Sequence, residues 1–92
     1  MRIEWDETKN RTNQRKHQIA FETAEQVFLD SFAFHRQERS VEGEERWQTI
    51  GDVQGRILVV AHTWPSDEYI RIISARKATP RERSLYYVHR SP

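Results

Sequence analysis

The run Ile57-Leu58-Val59-Val60-Ala61, inside "RILVVAHTW" (Arg56 to Trp64), constrains this chain more than any other stretch. Consecutive apolar side chains in an extended segment point alternately to both sides, so this strand is expected at the centre of a sheet with cover on each face. Its neighbours lie close by. "ERWQTIG" precedes it, with a strand expected from Arg46 and with Gly51 and Gly55 bracketing the connection. "EYIRIISA" follows as another strand once Pro65, Ser66 and Asp67 have ended the run. Connections this short predict an antiparallel meander, because a parallel crossover needs about a dozen residues or more.

The rest of the chain has to supply the cover. "RIEW" (Arg2 to Trp5) alternates and predicts a first strand, and Asp6 is a good N-cap for a helix. From Asp6 to Gln18, however, "DETKNRTNQRKHQ" has no apolar side chain, so a helix here must be held by its ends or by polar contacts. Lys9, Asn13, Lys16 and His17 fall on one helical face, which is either a partner-facing stripe or part of a mostly solvated helix. "AFETAEQVFLD" (Ala20 to Asp30) is conventional: Phe21, Ala24, Val27 and Phe28 recur with helical period. Phe32 and Phe34 predict a strand from about Ser31 to Arg39, ahead of the charged turn "SVEGEE". Near the end, Thr79, Pro80 and Glu82 form a T-x-x-E capping box with proline at the first helical position. A last helix is therefore expected from Pro80 to about His89, with Leu85 and Val88 packing and Tyr86 or Tyr87 near the surface. The sum is one α+β domain over residues 1–92, mainly antiparallel sheet with two N-terminal helices and one C-terminal helix.

A chain of 92 residues has room for one modest core. It has no cysteine, hence no disulfide or thiolate metal site, and its four histidines are scattered without metal-ligand spacing. No metal or cofactor is expected, since glycine-rich phosphate loops and dinucleotide fingerprints are also missing among only three glycines. No apolar run approaches the roughly 18 residues of a membrane span, and the N-terminus lacks the features of a signal peptide, so the expected location is cytoplasmic, with no membrane contact. The net charge of +1 conceals a separation: residues 19–70 carry four cations and ten anions, whereas residues 71–92 carry six cations and one anion. A basic C-terminal segment suits a phosphate-bearing partner if the fold gathers its cations; otherwise it is solvated charge balanced elsewhere. Ile70, Ile72 and Ser74 are expected on one side of the last strand and Arg71 and Lys77 on the other, with Arg76 at the junction with the helix.

Three segments occur in order: "IEWDETKNRTNQRKHQIAFETAEQVF", "EGEERWQTIG" and "RIISARKATPRERSLYY". Their most specific parts are W-D-x-x-K-x-x-x-N-x-x-K-H, F-x-x-A-x-x-V-F and I-R-I-I-S-A-R-K-A-T-x-x-E-R. Together they resemble the BrnT-type toxin family of bacterial type II toxin–antitoxin systems over nearly the whole chain. One departure is Gln18, where the family usually has a glycine able to take positive φ as a helix C-cap. The resemblance implies a small RelE-like fold and a ribonuclease activity that arrests translation. It also implies hetero-oligomer formation with a cognate ribbon-helix-helix antitoxin, through which the pair meets operator DNA.

Metal-independent RNA cleavage needs an activated 2′-hydroxyl, cations for the pentacoordinate oxyanion and a proton for the leaving oxygen. Under the resemblance Arg76 is the leading phosphate and transition-state ligand, with Arg46 and Arg71 as companions; its other reading is a structural salt bridge to a carboxylate such as Glu82. His17 is a candidate general acid or base, or a structural histidine ending the first helix. Lys9, Lys16, Lys77 and Arg83 would steer RNA, and Tyr86 would stack on a base or donate a proton, or else pack the last helix. Glu45 is a candidate base or a solvated turn carboxylate, and His62 reads as a satisfied core residue. Trp5, Trp47 and Trp64 belong to the core or to a partner interface. Two other functions stay open: a non-catalytic module that docks the antitoxin and tunes operator binding, and nucleic-acid binding without cleavage.

Overall fold

The computed structural model describes residues 1–38, 40 and 42–91. Five strands form one sheet in the order β1-β5-β4-β3-β2: β1 (Arg2–Trp5), β2 (Phe34–Gln37), β3 (Arg46–Val53), β4 (Arg56–Ser66) and β5 (Tyr69–Lys77). The apolar run lies in β4, at the centre, and β2 through β5 pair antiparallel. β1 adds to the edge of β5 in parallel, which its own alternation did not foretell.

Helices α1 (Glu7–His17) and α2 (Phe21–Ala24), with a 3-10 turn over Glu25–Leu29, cover one face. There Ile19, Phe21, Ala24 and Val27 pack on Val53, Leu58, Val60, Ile72 and Ala75. On the other face α3 (Pro80–Arg90) covers only one end, where Tyr86 and Ala78 pack with Ile50, Ile57, Val59 and Phe34. The rest of that face is open.

The all-polar helix α1 is held by two buried asparagines. Asn13 completes the edge of β5 beyond the point where β1 stops: its Oδ1 accepts from Ala75 N–H at 3.1 Å, and its Nδ2 donates to Ala75 O at 2.9 Å and to Ile19 O at 2.8 Å. Asn10 Oδ1 accepts from Phe21 N–H at 2.8 Å, and its Nδ2 donates to Glu7 and Glu22. Backbone groups that would otherwise be orphaned at a sheet edge and a helix start are thereby paired. Asp6 caps α1 as expected, accepting from Thr8 and Lys9 N–H. Gln18 takes the left-handed conformation at φ 58° without being glycine, and its Nε2 donates to Arg15 O.

Several expectations need correction. The second helix tightens into 3-10 after Ala24, and β2 begins only at Phe34; its expected end at Arg39 lies outside the described residues. Gly51 lies within β3 rather than ending it, and its lack of a side chain makes room for Val27 and Ala33, whose Cγ1 and Cβ a Cβ there would meet at 3.0 Å and 3.1 Å. β4 continues through Pro65 to Ser66. The final helix is capped as foreseen, by Thr79 Oγ1 accepting from Glu82 N–H and Glu82 accepting from Thr79 N–H. Its phase is different: Glu82 and Tyr86 face inward, while Leu85 and Val88 are 38% and 70% exposed. Last, a bulge at Ile73 separates the pairs His62–Ile72 and Ala61–Ser74. It puts Ala75 in the core beneath α1 and turns Ser74 and Arg76 to the side of Arg71, so Ser74 leaves the side of Ile72 and Lys77 the side of Arg71 that alternation predicted.

Candidate functional site

The open face is organised around one carboxylate. Glu82, with its side chain 11% exposed, accepts from Arg76 twice, Nη1 to Oε1 at 2.6 Å and Nη2 to Oε2 at 2.9 Å. Arg36, from β2, donates Nη2 to Oε2 at 2.5 Å and Nε to Gln48 Oε1 at 2.6 Å, and Gln48 in turn donates to Glu38. Three elements thus converge: β5 supplies Arg76, β2 supplies Arg36 and the capping box fixes Glu82. The Arg76 hydrogen bonds, helped by the Thr79 N–H and by Arg36, hold the Glu82 carboxyl down at about 2 against the cost of burial. The same hydrogen bonds raise Arg76 further above its ordinary value. Arg76 is therefore both a structural ion pair and a cation, because its side chain is still 35% exposed.

Beside Arg76 the end of β5 meets the end of α1. Lys16, His17, Gln18, Arg76, Lys77 and Thr79 line a cleft of about 420 Å³, within the range of small-ligand sites. A second cleft along α1 is lined by Lys9, Thr12, Asn13, Lys16, His17, Ile73 and Ser74. Five of the candidate residues, Lys9, Lys16, His17, Arg76 and Lys77, are thereby brought into one continuous groove. The polar stripe of α1 has two duties: Asn13 ties down the sheet, and the cations on either side of it line the groove.

Arg46 and Arg71 lie elsewhere on the open face, across β4 from one another, with Thr63 between them in register. Arg71 approaches Glu4 at 3.5 Å and lies over the Tyr69 ring. Arg83 is exposed on α3. Tyr86 must be corrected: it is fully buried, its hydroxyl donates to Asp30 at 2.6 Å, and no face of its ring is left for a base. Burial and then Asp30 push its phenol up to about 12. Asp30 is lowered although burial opposes it, through Tyr86, the N–H groups of Asp52 and Phe32, and Arg90. Glu45 is exposed. Arg36 and Gln48 were missed by sequence reasoning; the two-residue spacing of Phe34 and Arg36 could have given the side of the strand, but nothing could have given the partner on α3.

The closed face has its own polar cluster. Thr49 Oγ1 lies 2.7 Å from both His35 Nδ1 and His62 Nε2, and His62 Nδ1 lies 3.3 Å from Thr63 O. A carbonyl only accepts, so Nδ1–H of neutral His62 is the donor, Thr49 O–H donates to His62 Nε2, and His35 Nδ1–H donates to Thr49. Burial lowers His62 to about 4 and lowers His35 as well, and Phe28 and Trp64 pack edge-on against the His62 ring. His62 is a satisfied core residue. Among the described residues no three His, Asp or Glu side chains are grouped to hold a metal ion, and no helix is long and apolar enough to cross a membrane.

The profile of the family described as "Ribonuclease toxin, BrnT, of type II toxin-antitoxin system" matches residues 5–82. Among solved structures, the 1.1 Å crystal structure of the Brucella abortus ribonuclease toxin BrnT is similar, with 30% sequence identity and a TM-score of 0.65 over 86% of this chain and 97% of that one. No curated protein matches. The family profile runs from the end of β1 to the Glu82 carboxylate and so takes in the groove, the bulge and the arginine pair; the chain belongs to the BrnT ribonuclease toxin family of type II toxin–antitoxin systems.

Proposed function

We propose that the groove between α1 and the end of β5 cleaves RNA without a metal ion, and that this cleavage arrests translation until a ribbon-helix-helix antitoxin neutralises it. Ribonuclease activity and an antitoxin partner come with the family; the catalytic residues, the metal independence and the antitoxin type are our reading. The observation that carries it is the position of Arg76. Glu82 grips its guanidinium at two nitrogens, yet it lines a cleft shared with His17, Lys16 and Lys77. A guanidinium fixed in place before substrate arrives is preorganised for the charge that develops on a pentacoordinate phosphorane.

In this mechanism the 2′-hydroxyl attacks the adjacent phosphorus, the bond to the 5′-oxygen breaks, and a 2′,3′-cyclic phosphate and a 5′-hydroxyl result. Arg76 neutralises the added negative charge. His17, at the end of α1, exchanges a proton with the attacking or leaving oxygen. Lys9, Lys16 and Lys77 attract the backbone, with Arg83 adding to the field. Arg46 and Arg71 bind the chain further along the open face.

The folded, antitoxin-free protein should cleave RNA in EDTA and lose that cleavage in Arg76→Ala. RNA left intact by the wild type, or cleavage that needs added metal, sinks the mechanism. One observation favours a second reading, an antitoxin-docking module without catalysis: Arg76 already gives both terminal nitrogens to Glu82. Expression in the absence of antitoxin separates the two, because a docking module leaves growth unchanged.

A further inference from the structure

Two buried side-chain polar atoms, Arg46 Nε and Thr63 Oγ1, have no hydrogen-bond partner among the described residues. Buried groups of this kind are rare because each costs the desolvation of a donor or acceptor with nothing in return. These two are not scattered. Arg46 on β3 pairs in register with Thr63 on β4, and Thr63 pairs in turn with Arg71 on β5. The three side chains therefore project as a row from the open face, spaced at about 5 Å from strand to strand. The β4–β5 register shifts on either side of this row, at Ile73 in β5 and between Thr63 and Ser66 in β4. His62 and Thr63, neighbours in β4, take opposite faces by ordinary strand alternation, His62 in the core and Thr63 on the open face. Thr63 is 1% exposed, whereas the Arg71 side chain is 44% exposed, so the row is closed at its centre and opens at Arg71.

An N–H donor, a hydroxyl that can donate, and a second guanidinium lie side by side in this row, which ends on β1 at Glu4. Glu4, in register with Arg71, reaches that guanidinium at 3.5 Å, and Arg46 Nε and Thr63 Oγ1 still have no partner among the described residues. The missing partner is an acceptor carrying negative charge. We propose that Arg46, Thr63 and Arg71 form a second phosphate subsite, which holds a phosphodiester of the RNA flanking the one cleaved beside Arg76. The subsite rests on the reading that the open face meets RNA. Ser74 and Arg76 follow Arg71 along β5 on this face, so one RNA strand lying along β5 spans both sites. The subsite sets affinity and register, and Thr63 is its positioning donor.

The probe is a short RNA with 2′-O-methyl groups, which cannot cleave, titrated into wild type, Thr63→Val, Arg71→Gln and the hairpin control Arg56→Gln. Thr63→Val keeps the branched shape and removes a hydroxyl that has no internal partner, so its thermal midpoint should equal or exceed that of wild type. Its RNA affinity should fall about tenfold, the worth of a hydrogen bond to a charged group. Arg71→Gln should lower the slope of log affinity against log salt by about 0.7, one single-strand phosphate contact. Arg56→Gln should bind like wild type. The proposal is overturned if Thr63→Val and Arg71→Gln bind RNA as wild type does, or if Thr63→Val loses stability and leaves affinity unchanged, the mark of a buried structural water. Cleavage of an unmodified RNA is followed in parallel. Wild type that binds without cleaving would sink the active-site assignment and leave the subsite standing; cleavage with unaltered binding in both variants would do the reverse.

Discussion

On the closed face of the sheet, His35 and His62 meet through Thr49 and burial disfavours their charge, whereas on the open face Arg36 and Arg76 share Glu82 and stay ionised. The closed face also ties its polar groups to backbone, as Asn13 does at Ala75. The open face leaves donors without acceptors at Arg46 and Thr63. The same sheet therefore stores its stability on one side and its binding capacity on the other. Satisfied polar groups rigidify a fold, and unsatisfied ones point to something that is still to bind.

The comparison is broken most forcefully at Asn13. Asn13→Ala strands Ala75 N–H and O and Ile19 O, and should destabilise the protein by about 3–5 kcal/mol in a urea melt. A cost below about 1 kcal/mol would mean that water serves that edge equally well. On the open face, Arg76→Ala should lower single-turnover RNA cleavage by about 10²–10³-fold, the usual loss for one preorganised oxyanion ligand. Arg76→Lys should recover only part of this, because a lysine cannot hold Glu82 at two nitrogens. Full activity in Arg76→Ala would reduce Arg76 to a structural role.

Acid should undo the two faces in sequence. Burial depresses His62 to about 4, so its neutral form contributes fully above the unfolded value near 6.5, and that contribution is lost as pH falls toward 4. Its size is about 3 kcal/mol. Glu82 is likewise depressed, from 4.5 to about 2, so the open-face clamp loses stability later, as pH falls from about 4.5 to 2. In His62→Gln the earlier loss should shrink to the part that His35 contributes and the later one persist, as read from urea midpoints across pH; identical profiles in mutant and wild type would contradict the division. The smallest effect is expected at the helix end. Gln18→Gly relieves a left-handed residue and should stabilise by about 1 kcal/mol in the same urea melts.

The β4 run, the capping box at Thr79 and the Asp6 N-cap were legible because each depends on residues adjacent in sequence. The phase of α3 was not. Leu85 and Val88 looked like its packing residues, but Glu82 faces inward because Arg36 and Arg76 neutralise it, and the first of those comes from a strand 46 positions away. The side on which Arg76 emerges was also hidden, since it depends on a bulge at Ile73 that period-two alternation cannot register. Likewise α1 carried a visible polar stripe, but only the fold reveals that Asn13 completes a sheet edge while Lys16 and His17 beside it line a groove.

The central claim is that RNA engages the open face and the α1 groove and leaves the histidine face untouched. Backbone amide shifts recorded while an uncleavable 2′-O-methyl RNA is titrated into the labelled, antitoxin-free protein test it most directly. Perturbations should concentrate at Lys16, His17, Arg36, Thr63, Arg71, Arg76 and Lys77, with His35, Thr49 and Trp64 unchanged. Shifts centred instead on Leu29, Trp64 and His35 would contradict the account.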